Sequence, residues 1–175
     1  MSNKRIFIIG GIVIFAFLVV VGILYYFGNN SRGKLGGEST GDAFLEELEN
    51  IPVPEMGETP SNESVAVPVS VREAVEGASE QIRSFLVSVE KEKFTPSIVS
   101  VNKNDTVHIN FTAVDDDYDV VVPDYGLSQR MRRGETKTIE FRAETEGTHV
   151  YYCESCGGLD SQAKGYIVVK SSTPN

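Results

Sequence analysis

Residues 82–171 predict an all-β domain, a sandwich or small barrel, on three observations. Apolar residues alternate with period two, the mark of strands buried on one face. Seven such runs fall within about 90 residues, separated by turn-forming phrases. No stretch in this region has the length or the 3.6-residue period of a long helix.

Ahead of this region lies a different kind of sequence. After Met1 to Arg5 comes "IFIIGGIVIFAFLVVVGILYYF", Ile6 to Phe27, 22 residues without a charge. At about 1.5 Å per helical residue such a run crosses a hydrocarbon core of roughly 30 Å. It is longer than the apolar core of a cleaved signal peptide and ends in Tyr25, Tyr26 and Phe27, aromatics suited to a membrane interface. The expectation is a retained single-pass anchor at 6–27 in the cytoplasmic membrane. Lys4 and Arg5 favour, by a small margin over Arg32 and Lys34, a cytoplasmic N-terminus and an extracytoplasmic C-terminal domain.

Residues 28–81 read as an acidic, Pro/Gly-rich tether. "GNNSRGKLGGESTG" is flexible by composition. "DAFLEELENI", Asp42 to Ile51, suits a short helix with Phe44, Leu45 and Leu48 on one side. Alone in water that helix is marginal, and it needs a surface to dock on. The proline-rich phrase after it argues against a packed core, and "VREAVEGASEQ", Val71 to Gln81, suits a second short helix. The net charge of −9 concentrates here: residues 38–80 hold eleven acidic residues against Arg72, whereas residues 81–175 hold fourteen acids and eleven bases. Nothing forms a basic face for nucleic acid.

The strands follow in order. "RSFLVSVE" sets Phe85, Val87 and Val89 against polar neighbours, and "IVSV" (98–101) comes next. "DTVHINFT" places Val107, Ile109 and Phe111 on one face and His108 on the other. "YDVVV" (118–122), "TKTIEFRA" (136–143), "THVYYC" (148–153) and "YIVV" (166–169) complete the set, and 172–175 form a tail.

The order of these phrases resembles the cupredoxin family. "KFTPSIVSVNKNDTVHINF", Lys93 to Phe111, is similar to that family's opening, and "RRGETKTIEFRAETEGTHVYYC", Arg132 to Cys153, to its closing half. "KGYIVV" resembles the last strand. The resemblance implies a Greek-key β-sandwich over roughly 82–171. It also implies a copper site of two imidazoles, a thiolate and a weak axial thioether. Carried over position by position, the strand histidine falls at Tyr118 and the cysteine at Cys153. The loop histidine falls at Cys156 or near Gly158, and the methionine at Ala163. Only the cysteine survives.

The loop also resembles, more distantly, the binuclear copper domain of cytochrome oxidase subunit II. There its histidine falls at Asp160 and its methionine again at Ala163. That family separates its bridging cysteines by three residues, whereas two separate Cys153 from Cys156.

The two remaining histidines do not complete a set. His108 alternates outward, and the backbone of His149 lies roughly 13 Å along its strand from Cys153.

Three readings of Cys153 and Cys156 stay open. A disulfide, suited to an extracytoplasmic domain, leads. Metal binding follows, with copper as Cu(I), or zinc, held by both thiolates and completed by Tyr118, Asp119, Asp160 or a partner protein. Dithiol exchange comes last, because the pair follows a strand and not a helix-opening turn. No triad, paired carboxylates or phosphate loop points to an enzyme. The cluster "DDDYD", Asp115 to Asp119, lacks the turn glycine of a calcium loop and reads as solvated, and "RMRRGE", Arg130 to Glu135, reads as a basic turn able to steer an acidic partner. The expectation is therefore a membrane-anchored, non-catalytic interaction or structural module with a degenerate copper site. A copper-binding protein for copper handling or electron transfer is the alternative.

Overall fold

Two five-stranded sheets account for the period-two pattern. The structure, a computed structural model, describes residues 40–60, 62–77 and 79–171. The membrane span expected at 6–27 and the tail at 172–175 lie outside the described residues. Among the described residues no helix is long and apolar enough to cross a membrane.

The elements in chain order are α1 (Thr40–Glu49), β1 (Ser70–Glu73), β2 (Gln81–Glu90), β3 (Lys93–Thr95), β4 (Ile98–Asn102), β5 (Thr106–Ala113), β6 (Tyr118–Val122), β7 (Leu127–Met131), β8 (Thr136–Arg142), β9 (Gly147–Tyr152) and β10 (Lys164–Lys170). One sheet runs β1-β2-β5-β8 with β3 attached to β2, and the other runs β4-β10-β9-β6-β7. β2 pairs parallel with β5, and β4 parallel with β10; the other pairings are antiparallel. All seven expected strands are present. β1, β3 and β7 are additional.

Alternation sends Phe85, Val87 and Val89 of β2 inward to meet Val107, Ile109 and Phe111 of β5. Phe94, Phe111 and Tyr151 form an edge-on aromatic cluster between the sheets, with centroids 5.0 to 5.7 Å apart. Each large side chain so buried contributes about 1.5–3 kcal/mol by removal from water. β10 passes close behind Tyr151. A Cβ at Gly165 would collide with the Tyr151 ring and the Ser97 carbonyl, so this position accepts only glycine.

The expected tether departs from this structure. Leu48 of α1 is buried with Val65, Ile98 and Val168 on the outer face of the second sheet. Val65 bridges Ile98 in parallel, and the Ala66 N–H donates to the Ile98 carbonyl at 2.7 Å. Lys170 donates its ammonium to the Glu49 carbonyl at the end of α1. Residues 71–73, the start of the second expected helix, instead belong to β1 on the edge of β2.

The physical reason lies in β4 and β10. "YIVV" is a continuous apolar run and "IVSV" is apolar but for Ser100, and both strands bury side chains on both faces, so the outer face requires a cover. The α1 helix and the Val65 segment supply it, and their few apolar residues suffice because they add to an existing sheet.

A buried charge pair fastens the same segment at one end of the sandwich. Arg83 and Asp105, each 1% exposed, meet at 3.0 Å. Arg83 also donates to the Pro54 carbonyl at 2.9 Å and to Glu55 at 3.0 Å. Asp105 accepts the Gln81 and Asn102 N–H groups at 3.0 and 3.1 Å. The opposite end carries the loops that follow β5 and β9.

Candidate functional site

β9 brings His149, Tyr151 and then Cys153 to the core side. Cys153 is fully buried where the strand ends. Its N–H donates to the Ala163 carbonyl at 2.9 Å, and its carbonyl accepts the Gly158 N–H at 3.1 Å. The chain turns back through Gly157 and Gly158, whose φ values of 111° and 69° lie in the left-handed region that favours glycine.

This turn brings Cys156 onto the core beside Cys153. The two are joined as a disulfide with Cα atoms 5.2 Å apart. The first of the three sequence readings therefore describes this structure. The bonded sulfurs carry no thiolate charge, the property that makes cysteine a soft-metal ligand.

Tyr118 opens β6 at the position where the resemblance implies an imidazole. It is 6% exposed. Its hydroxyl donates to Asp115 at 2.8 Å and accepts the Glu92 N–H at 3.3 Å. Burial, above all, raises the hydroxyl above the ordinary tyrosine range, while its hydrogen bond holds the Asp115 carboxyl below the usual carboxylate range.

Asp160 ends the short 3₁₀ turn Gly158–Asp160 and is exposed. Among the described residues none of Tyr118, Asp119 and Asp160 bonds to either cysteine, so the structure joins two of the five candidate ligands and leaves the other three apart. Asp119 is occupied too, accepting the Ser155 N–H at 3.2–3.3 Å.

The acidic cluster has a structural task. Asp115 accepts the Lys91 N–H at 3.0 Å, Asp117 the Arg133 N–H at 2.9 Å, and Asp119 that of Ser155. Two carboxylates from the loop before β6 and one from β6 itself thus tie down three neighbouring loops.

The histidines serve elsewhere. His108 faces outward and meets Glu140 at 3.0 Å. His149 lies between Asp124, at 2.7 Å, and the Thr145 carbonyl, at 2.9 Å. Among the described residues no group of three or more His, Cys, Asp or Glu side chains is arranged to hold a metal ion. The domain lacks an intact copper site.

Sequence reasoning missed Arg83 and Asp105. The available signal was Arg83 itself, which shares inward parity with Phe85 and Val87 in a strand whose charge should face water.

Residues 64–169 match the family model described as a cupredoxin-like domain. No curated protein sequence matches the chain significantly. Among solved structures, the metal-binding domain of the Cu(I)-exporting P-type ATPase CopA of Streptococcus pneumoniae is 21% identical, covering 51% of this chain and 86% of its own, with a TM-score of 0.45. Reduced auracyanin from Roseiflexus castenholzii is 16% identical, with coverages of 49% and 94% and a TM-score of 0.42. A chain of a heme-copper terminal oxidase dimer is 15% identical, with coverages of 89% and 96% and a TM-score of 0.44.

Proposed function

The chain belongs to the cupredoxin-like domain family, and from that premise we propose that it is a membrane-anchored, extracytoplasmic and non-catalytic interaction module whose copper site has degenerated. The observation that carries the proposal is the Cys153–Cys156 disulfide, which closes the loop covalently at the place where the family's copper loop begins. Two further features support it. Tyr118 stands where the family resemblance puts an imidazole, with its hydroxyl committed to Asp115 and Glu92, and Ala163 stands where it puts the thioether. The apolar run at 6–27 supports the anchor, and the disulfide suits an oxidising compartment. In this reading the bond fixes the loop that a metal fixes in copper-bearing relatives, and the surface acts on a membrane or extracytoplasmic protein partner.

A second reading rests on the same pair. Reduction would free two soft ligands two residues apart, suited to Cu(I), with Tyr118, Asp160 or a partner completing the set. The experiment that separates the two uses the full chain purified in detergent from copper-supplemented cells. Bound metal and the optical spectrum are measured before and after reduction, with Cu(I) added to the reduced sample. The module reading predicts no stoichiometric copper in either state. One copper per chain held by both thiols would overturn it in favour of copper handling.

A further inference from the structure

The two edges of the β4-β10-β9-β6-β7 sheet differ. The β4 edge is bridged by Val65, whereas among the described residues no strand pairs with the outer edge of β7. An unpaired edge presents a row of backbone N–H and carbonyl groups to any extended chain. Beside it lies an open groove of about 510 Å³ lined by Asp117, Gln129, Arg130, Arg132, Glu135 and Lys137.

The charges in this groove are unevenly committed. Asp117 is engaged by the Arg133 N–H, and Glu135 by the Arg132 N–H at 2.9 Å and by Lys137 at 2.7 Å. The guanidinium groups of Arg130, Arg132 and Arg133 make no hydrogen bond or ion pair among the described residues. Two exposed arginines, Arg130 and Arg132, therefore line the groove beside an open strand edge, on a chain whose net charge is −9.

We propose that the β7 edge, flanked by Arg130 and Arg132, binds an extended acidic segment of a partner protein as a sixth strand of this sheet. The proposal rests on the interaction-module reading and names its surface. Backbone pairing along β7 supplies the affinity, and alternate carboxylates of the added strand meet the guanidinium groups, each able to take a carboxylate in bidentate fashion. The same arginines repel the β7 edge of a second copy, which keeps the edge available.

The test uses the full chain in detergent and two synthetic probes. One is a short peptide alternating glutamate with valine. The other has the same charge with prolines interspersed, so that it cannot form a ladder. The alternating peptide should bind, should slow amide exchange at Gln129 to Met131, and should weaken about tenfold or more in high salt. Arg130→Glu with Arg132→Glu should remove binding while the melting temperature holds. If that variant misfolds, Arg130→Gln with Arg132→Gln should weaken binding in the same direction.

Absence of binding, equal binding of the proline peptide, or unchanged binding by the arginine variants overturns the proposal. Concentration-dependent self-association that protects the same amides also overturns it, in favour of a second copy. Failed peptide binding in metal-free protein removes this surface and leaves the module reading standing. Copper held by Cys153 and Cys156 with the peptide still bound does the reverse.

Discussion

Tyr118 donates its hydroxyl hydrogen to Asp115 at 2.8 Å and in turn accepts the N–H of Glu92. The side chain that replaces an imidazole in the family resemblance is thereby part of the fabric joining β6 to the turn after β2. Tyr118→Phe is predicted to lower the melting temperature at neutral pH and leave metal content unchanged. Asp115 has a folded pKa below its ordinary 3.8, so its contribution is present above that pH and is lost as pH falls through the folded value. The gap in melting temperature between wild type and variant should therefore narrow below pH 3.8. A gap that is constant from neutral to strongly acidic pH would show that the Asp115 bond adds nothing.

Gly165 lies where β10 passes the Tyr151 ring and the Ser97 carbonyl. Gly165→Ala forces apart two strands whose backbones are fixed by their ladders. A loss of about 1–3 kcal/mol is expected from overpacking, measured by chemical denaturation. Wild-type stability in the variant would contradict the close approach.

Arg83→Met removes one partner from a buried pair and leaves the Asp105 charge without its guanidinium. The expected cost is about 3–5 kcal/mol. Because Arg83 also holds the Pro54 carbonyl and Glu55, the variant should be cleaved faster between residues 54 and 64 in limited proteolysis. Unchanged cleavage there would mean that Arg83 does not fasten this segment.

Three tyrosines tie stability to alkaline pH. Burial raises Tyr151 and Tyr118 above the ordinary 10.0 and is also the leading cause that pushes Tyr125 up to about 12. A raised folded pKa means that the unfolded chain loses its proton first. The contribution is complete below pH 10.0 and is lost as pH rises toward about 12. Denaturation midpoints should hold to pH 9–10 and then fall, with delayed phenolate absorbance in the folded protein. Phenolate absorbance that develops in full near pH 10.0 while the chain remains folded would contradict this.

Much of this was legible in the sequence because strands that bury one face write a period-two pattern. β2, β5 and β8 do so in full. β7, "LSQRM", is a short edge strand with the polar Gln129 at an inward-parity position between Leu127 and Met131, so the apolar alternation that marks a strand is broken there. β1 takes its order from pairing with β2, which no local propensity reveals. The short helix at 42–51 is legible and forms as α1, but the packing of the segment after it is not, because each of its pieces is weak alone; the apolar side chains that β4 and β10 carry on both faces are the signal that calls for a cover. At the loop end, Cys153 and Cys156 were legible as a pair. Their bonding was not, since the spacing suits a disulfide and a metal alike.

The central claim concerns that bond. Cys156→Ser should destabilise the chain by about 2 kcal/mol, the chain-entropy value for so short a loop. The most direct measurement is the native mass spectrum of the full chain released from detergent, purified without reductant from copper-supplemented cells. The account predicts a chain lighter than its sequence by the two hydrogens of the Cys153–Cys156 bond, with no copper attached. A chain at its full reduced mass carrying one copper would contradict it.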